Sequence, residues 1–222
     1  MKGFITKRAG QRKDPDLSFA DERRQQARQR GFTLVETMVA VAILTLSVAG
    51  PLTVADRAIV AAESANYQLT ASYLAQEGIE YVRAMRDDAY LAAYKTNQSG
   101  NNAWWNGSSG FLTSNSSGSI LPCVSATCTL DPTQSMGAGV SGSNKALAAC
   151  GNAPCKPLYL DATSGVYTEQ STGNTPTPFT RTIEIDYSSL TPAYAEASSS
   201  VSWNFHGTNY SVTIIDYLTP WQ

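Results

Sequence analysis

Gly31-Phe32-Thr33-Leu34-Val35-Glu36 opens a stretch that continues as TMVAVAILTLSVAGPLTVA, from Thr37 to Ala55. Those last nineteen residues carry no charge. At about 1.5 Å per residue they match a hydrocarbon layer about 30 Å thick, so the run predicts a membrane-spanning helix. Arg23, Arg24, Arg28 and Arg30 precede it, which orients the N-terminus toward the cytoplasm and the rest of the chain outward. A secretory signal peptide has an apolar core of about 7–15 residues followed by a small-residue cleavage site. This run is longer and no A-x-A follows it. The unusual residue is Glu36. A carboxylate deep in such a helix costs about 2.5–3.5 kcal/mol on insertion scales, so it needs a cationic partner.

The composition around this stretch narrows the function classes. The 222 residues are 42% hydrophobic and only 15% charged, which is apolar enough to build a core and excludes a fully disordered chain. The net charge of −2 hides a division. Residues 1–31 hold nine Lys/Arg and four Asp/Glu, whereas residues 32–222 hold seven and fourteen. An acidic body repels phosphate, so direct nucleic-acid binding is not expected. His206 is the single histidine, and the sequence shows no acid–base constellation. No catalytic residue, metal ligand or cofactor is therefore expected. His206 lies among turn-forming residues and reads as an exposed, inert position.

Gly31, Phe32, Thr33, Leu34, Val35 and Glu36, behind a basic leader and at the edge of a long apolar run, resemble the processing site of the type IV pilin superfamily. The resemblance implies cleavage after Gly31 by a membrane prepilin peptidase and methylation of the new N-terminal amine of Phe32. It also implies an assembly role for Glu36, which in the family pairs with the N-terminal amine of a neighbouring subunit. The implied partners are that peptidase, other pilin subunits, an inner-membrane assembly platform, and lipid before assembly. The implied location is the inner membrane, crossed once, then an extracellular filament or the cell surface. The 31-residue leader is longer than many in the family. The likeness is strong over residues 31–88, modest over 178–222 and absent between.

Gly50-Pro51 interrupts the apolar run, and a proline inside a helix removes one hydrogen bond and clashes with the preceding turn, so a kink is expected there. In pilins a proline near this place marks a segment that can melt within the filament. Beyond the span, Val60, Tyr67, Leu74 and Tyr81 recur every seven residues, with Ala71, Gly78 and Met85 beside them. This apolar stripe of helical period predicts the face that packs under a sheet. Glu80 and Arg83 fall at i,i+3 on the solvated side. A helix from Phe32 to about Ala92 would be on the order of 90 Å long.

Residues 96–153 are dominated by Ser, Thr, Asn and Gly and hold only two charges, Asp131 and Lys145, so they read as turns and surface loops. Trp104, Trp105 and Phe111 are expected to cover a sheet edge rather than bind a ligand. Cys123, Cys128, Cys150 and Cys155 form two pairs of equal spacing. Disulfides in an oxidising compartment fit better than zinc, whose knuckles usually space thiolates more closely, and three connectivities are open. Strands are predicted over Pro157–Leu160, Gly165–Glu169, Phe179–Tyr187, Ser200–Phe205 and Tyr210–Leu218, the last two joined through His206–Asn209. Arg181 falls on the apolar parity of its strand, an exception that suggests a strand end.

The expected fold class is α+β: a long N-terminal helix packed on a C-terminal antiparallel sheet, pilin-like. The expected segments are a leader (1–31), a transmembrane and assembly helix (32–55), its amphipathic continuation (56–95), a loop region with the cysteines (96–155) and the sheet (156–222). The expected function is a minor pilin-like subunit of a type IV pilus-type filament. The alternatives are a type II secretion pseudopilin and an anchored surface-binding domain that never assembles.

Overall fold

The computed structural model describes residues 31–97, 100, 103–108, 110–113, 119–139, 143–187 and 194–220. Helix α1 runs from Leu34 to Lys95. A four-residue helix α2, Ala103–Asn106, and a 3-10 turn, Leu121–Cys123, follow. Nine strands complete the order: β1 Cys128–Leu130, β2 Ser135–Gly139, β3 Lys145–Ala149, β4 Tyr159–Leu160, β5 Tyr167–Thr168, β6 Thr175–Pro176, β7 Thr180–Asp186, β8 Ala195–Phe205 and β9 Thr208–Leu218. The arrangement is α+β and pilin-like, one long N-terminal helix with a mostly antiparallel sheet. The chain divides between Ala58 and Ile59 into two units.

In the first unit every residue from Leu34 to Ala58 is exposed. In the second, α1 buries Ala71, Leu74, Ala75, Gly78, Ile79, Val82 and Met85, a three-and-four spacing that makes one face. The predicted stripe is corrected at its start: Val60 is 42% exposed, and packing begins at Tyr67, whose ring meets Phe179 and Phe205 edge-on. The face lies on a six-stranded sheet ordered β2-β3-β1-β7-β8-β9, antiparallel except for the parallel β2–β3 pair. Strands β7 and β8 alternate strictly, presenting Arg181, Ile183 and Ile185, then Ala195, Ala197, Ser199, Val201, Trp203 and Phe205, to the helix. Small residues on β8 let the helix approach closely. An added Cβ on Gly78 would stand 2.3 Å from Ser199 Oγ and 2.8 Å from Ile183 Cδ1, so no larger residue fits without movement.

The middle of the chain corrects the loop expectation for 96–155. Strands β1, β2 and β3 lie there and extend the main sheet beyond β7. Trp104, Trp105 and Phe111 are buried and form core, with the half-buried Tyr90 of α1 packed against Trp104. The C-terminal hairpin is longer and tighter than predicted. Phe205 pairs with Thr208, so the turn is His206-Gly207 alone, both at positive φ (52° and 83°). Two positive φ values give a primed turn whose twist matches the strands. The strand predicted over Pro157–Leu160 shortens to Tyr159–Leu160, which pairs with β5 and β6 in a separate three-stranded sheet.

Arg181 sits one residue into β7 and is fully buried. Its Nη1 donates to Leu74 O (3.1 Å) and to Glu77 Oε2 (2.5 Å), and its Nη2 donates to Leu130 O (2.8 Å). One guanidinium thereby ties helix α1, β1 and β7 together. Asp131 makes a second tie. Its carboxylate accepts from Thr133 N and Oγ1, and from Thr168 Oγ1 and Glu169 N, joining the end of β1 to β5. The Glu169 carboxyl is pushed above the usual carboxylate range, chiefly by burial.

Candidate functional site: the N-terminal processing and assembly segment

The segment is built on the start of α1. Gly31, Phe32 and Thr33 precede the helix without regular structure, and Phe32 is 77% exposed. Thr33 Oγ1 accepts a hydrogen bond from Glu36 N at 3.3 Å. This is an N-cap: the hydroxyl satisfies one of the backbone donors that a helix start leaves orphaned. Thr33-Leu34-Val35-Glu36 has the Thr-x-x-Glu pattern of a capping box, and Glu36 is the acidic residue of the first turn, where the helix dipole favours negative charge. Beyond its place in the motif, Thr33 caps the helix, a role its spacing from Glu36 also carries in the sequence. The helix thus begins two residues after the Gly31–Phe32 bond, and that bond lies outside it.

The polar side chains in the apolar run are satisfied within the helix. Thr37, Thr45, Ser47 and Thr53 donate their hydroxyls to the carbonyls of Leu34, Ala42, Leu44 and Gly50, at 2.8–2.9 Å. A hydroxyl bonded back to its own helix presents little unmet polarity to hydrocarbon. Glu36 has no such internal partner among the described side-chain hydrogen bonds; only its backbone N–H is engaged. The helix runs through Gly50 and Pro51 unbroken. Proline supplies no donor to the carbonyl four residues earlier, that of Ser47. By length and composition α1 is the one helix among the described residues able to cross a membrane.

The remaining predicted positions belong to the second unit. Cys123 bonds Cys128 and Cys150 bonds Cys155, so each cysteine joins its sequence neighbour. The first bridge is buried, fastening the 3-10 turn to β1, and the second closes the exposed turn Gly151–Pro154. His206 is in the hairpin turn, exposed, with its ring against Phe205. Arg83 bonds Glu80 at 2.6 Å, as the spacing predicted, and also Asp216 of β9 at 2.9 Å, which sequence alone did not show. That guanidinium holds the Asp216 carboxyl below the usual carboxylate range. The described residues contain no group of three His, Cys, Asp or Glu side chains placed to hold a metal ion.

Residues 26–50 match the family described as Prokaryotic N-terminal methylation motif. This is the prepilin-type signature shared by type IV pilins and pseudopilins. No curated protein and no solved structure gives a match to the chain. Motif and fold together support a pilin-like or pseudopilin reading of the chain. The motif implies processing by a prepilin peptidase and assembly with other pilins. With the apolar helix, it fits a protein anchored in a membrane and then exposed at the surface.

Proposed function

We propose that this chain is a minor pilin-like subunit of a type IV pilus-type filament, cut after Gly31, methylated on Phe32 and assembled through the first unit of α1. The observation that carries the reading is the conjunction of the methylation motif with an apolar helix portion, Leu34 to Ala58, none of whose residues is buried against the chain's described residues. Cleavage removes the basic leader and creates an ammonium at Phe32, and methylation of an amine keeps its charge. That cation is the partner Glu36 lacks. In a neighbouring subunit it offsets the cost of a carboxylate within the apolar layer. Assembly then buries the side chains between Leu34 and Ala58 against other helices instead of lipid. The enlarged second unit, with its inserted β1–β3 and two disulfides, supports a minor subunit over a compact repeating one.

The test is Glu36→Gln, with Gly31→Leu beside it, assayed by the share of the protein in sheared surface filaments. Glu36→Gln is expected to leave cleavage intact and to reduce the filament fraction roughly tenfold or more, since one lost charge pair of about 1.4 kcal/mol already gives that factor. Gly31→Leu is expected to leave the leader attached. Undiminished filament incorporation by both variants would refute the proposal.

A further inference from the structure

The two edges of the six-stranded sheet differ in a way that the assembly segment does not explain. Strand β2 forms one edge. It is five residues long, its register against β3 shifts between Ser135 and Ala138, and Gly137 sits at φ 130°. A short, bulged edge is a device by which proteins discourage further pairing. Strand β9 forms the other edge and shows none of those devices. It has eleven residues, TNYSVTIIDYL, no proline, no lysine, and an uninterrupted register against β8. Its single charged side chain, Asp216, is engaged by Arg83.

The register identifies which backbone groups are unused. Phe205 and Thr208 flank a two-residue turn and so form a hydrogen-bonded pair, and the alternation continues through the even positions of β9. The N–H and C=O groups of Asn209, Ser211, Thr213, Ile215 and Tyr217 therefore point away from β8. All five residues are exposed; the Tyr217 N–H is given to the Asp216 carboxylate, and the other four have no backbone hydrogen bond outside the strand ladder among the described residues. They offer a template for one more strand.

Charge selects the occupant. The last residues of β9 are bordered by carboxylates: Glu196 opposite Tyr217, Asp186 opposite Glu196, and Asp216 and Glu80, which share Arg83. The Tyr217 hydroxyl already bonds Glu196, which raises its pKa. Toward the turn no carboxylate stands opposite the strand: Asn204 and Asn209 bond each other, and the exposed His206 occupies the turn. A second copy's β9 would bring no basic residue to this border, and its β2 is bulged. We infer that β9 accepts an extended, antiparallel segment of a different protein, with Lys or Arg toward that segment's N-terminal end, where it meets Glu196 with Asp186 beyond it on the same face. The inference goes beyond the filament reading and does not depend on it.

The test uses the full chain in detergent micelles and amide hydrogen exchange read by residue. The probe is a synthetic peptide of alternating threonine and valine led by two lysines, about nine residues long to match the edge. Expected is a roughly tenfold or greater slowing at Asn209, Ser211, Thr213 and Ile215, with β2 unchanged. Ser211→Pro replaces an outward N–H, which an edge strand tolerates, and should abolish the slowing. Should Ser211→Pro misfold, the same peptide N-methylated at alternate residues must fail on the unaltered chain. No slowing, equal slowing by a peptide led by two glutamates, slowing by the N-methylated peptide, or edge amides already slow in a dimer without peptide would each overturn the inference.

Discussion

Helix α1 is one continuous element whose two portions are written for different neighbours. From Leu34 to Ala58 its side chains are mostly apolar and none is buried; from Ile59 to Lys95 seven residues on one face are buried against this chain's own sheet. The same helical geometry serves both. In the second portion the stripe is narrow, charges occupy the other face, and a glycine is required where the sheet comes close. In the first the hydroxyls bond back to the helix, and none of the chain's described residues covers the side chains. A helix apolar all round and a helix apolar on one side are thus two statements about where the driving force for burial lies.

The largest expected break in this contrast is Arg181→Met. It removes three donations that join α1, β1 and β7 and leaves the Leu130 carbonyl buried without that partner. Discounting for the partly exposed Glu77, a loss of about 3 kcal/mol is expected for the second unit in urea denaturation, with membrane insertion of the first unit unchanged. A loss below about 1 kcal/mol would show that the guanidinium is not the tie described here.

Two glycine substitutions sharpen the contrast with opposite signs. Gly78→Ala gains helix propensity but forces a Cβ against Ser199 and Ile183, for a net loss of about 1–2 kcal/mol. Gly50→Ala meets nothing within 4 Å and should strengthen the helix by up to about 1 kcal/mol. Thermal melts of helicity separate the two, and equal signs would contradict the account. The disulfides give a further comparison inside the second unit. A mild reductant monitored by alkylation and mass spectrometry should open Cys150–Cys155 well before the buried Cys123–Cys128. Replacing the former pair by alanine should cost about 2 kcal/mol or less, as the loop it closes is short.

The smallest effect concerns pH. Hydrogen bonding to Arg83 lowers the folded-state pKa of Asp216 below its unfolded value. The stabilisation is then present above the unfolded value, in ordinary aspartate's range near 3.9, and is lost as pH falls through the folded one. Asp216→Asn should cost under about 1 kcal/mol at neutral pH, since the pair is partly exposed, and nothing in strong acid. Glu169 works in the other direction. Burial raises its pKa, so its contribution is present below the unfolded value and is lost as pH rises through the folded one. Glu169→Gln should therefore flatten a fall in stability on the alkaline side of the carboxylate range.

Where a residue's periodicity and burial agree, the sequence was readable. The stripe from Tyr67 to Met85 and the alternation of β7 and β9 are examples. Strands β1–β3 were not readable, because Cys128–Leu130 is too short to show a period and Lys-Ala-Leu-Ala-Ala at 145–149 is a helix-forming composition that only tertiary pairing holds extended. Arg181 looked like an exception because its partners, Leu74, Glu77 and Leu130, are 51 or more residues away. In the N-terminal segment the methylation motif over residues 26–50 is legible, because a carboxylate at the edge of an apolar run demands a reason. The capping role of Thr33 is also written in the sequence, as the Thr-x-x-Glu spacing to Glu36.

The central claim is that the chain is processed between Gly31 and Phe32. The most direct measurement is mass spectrometry of the N-terminal peptide of the protein isolated from native membranes. The account predicts a chain beginning at Phe32 with a methylated α-amine. An intact leader beginning at Met1, or a new terminus near residue 55, would contradict it.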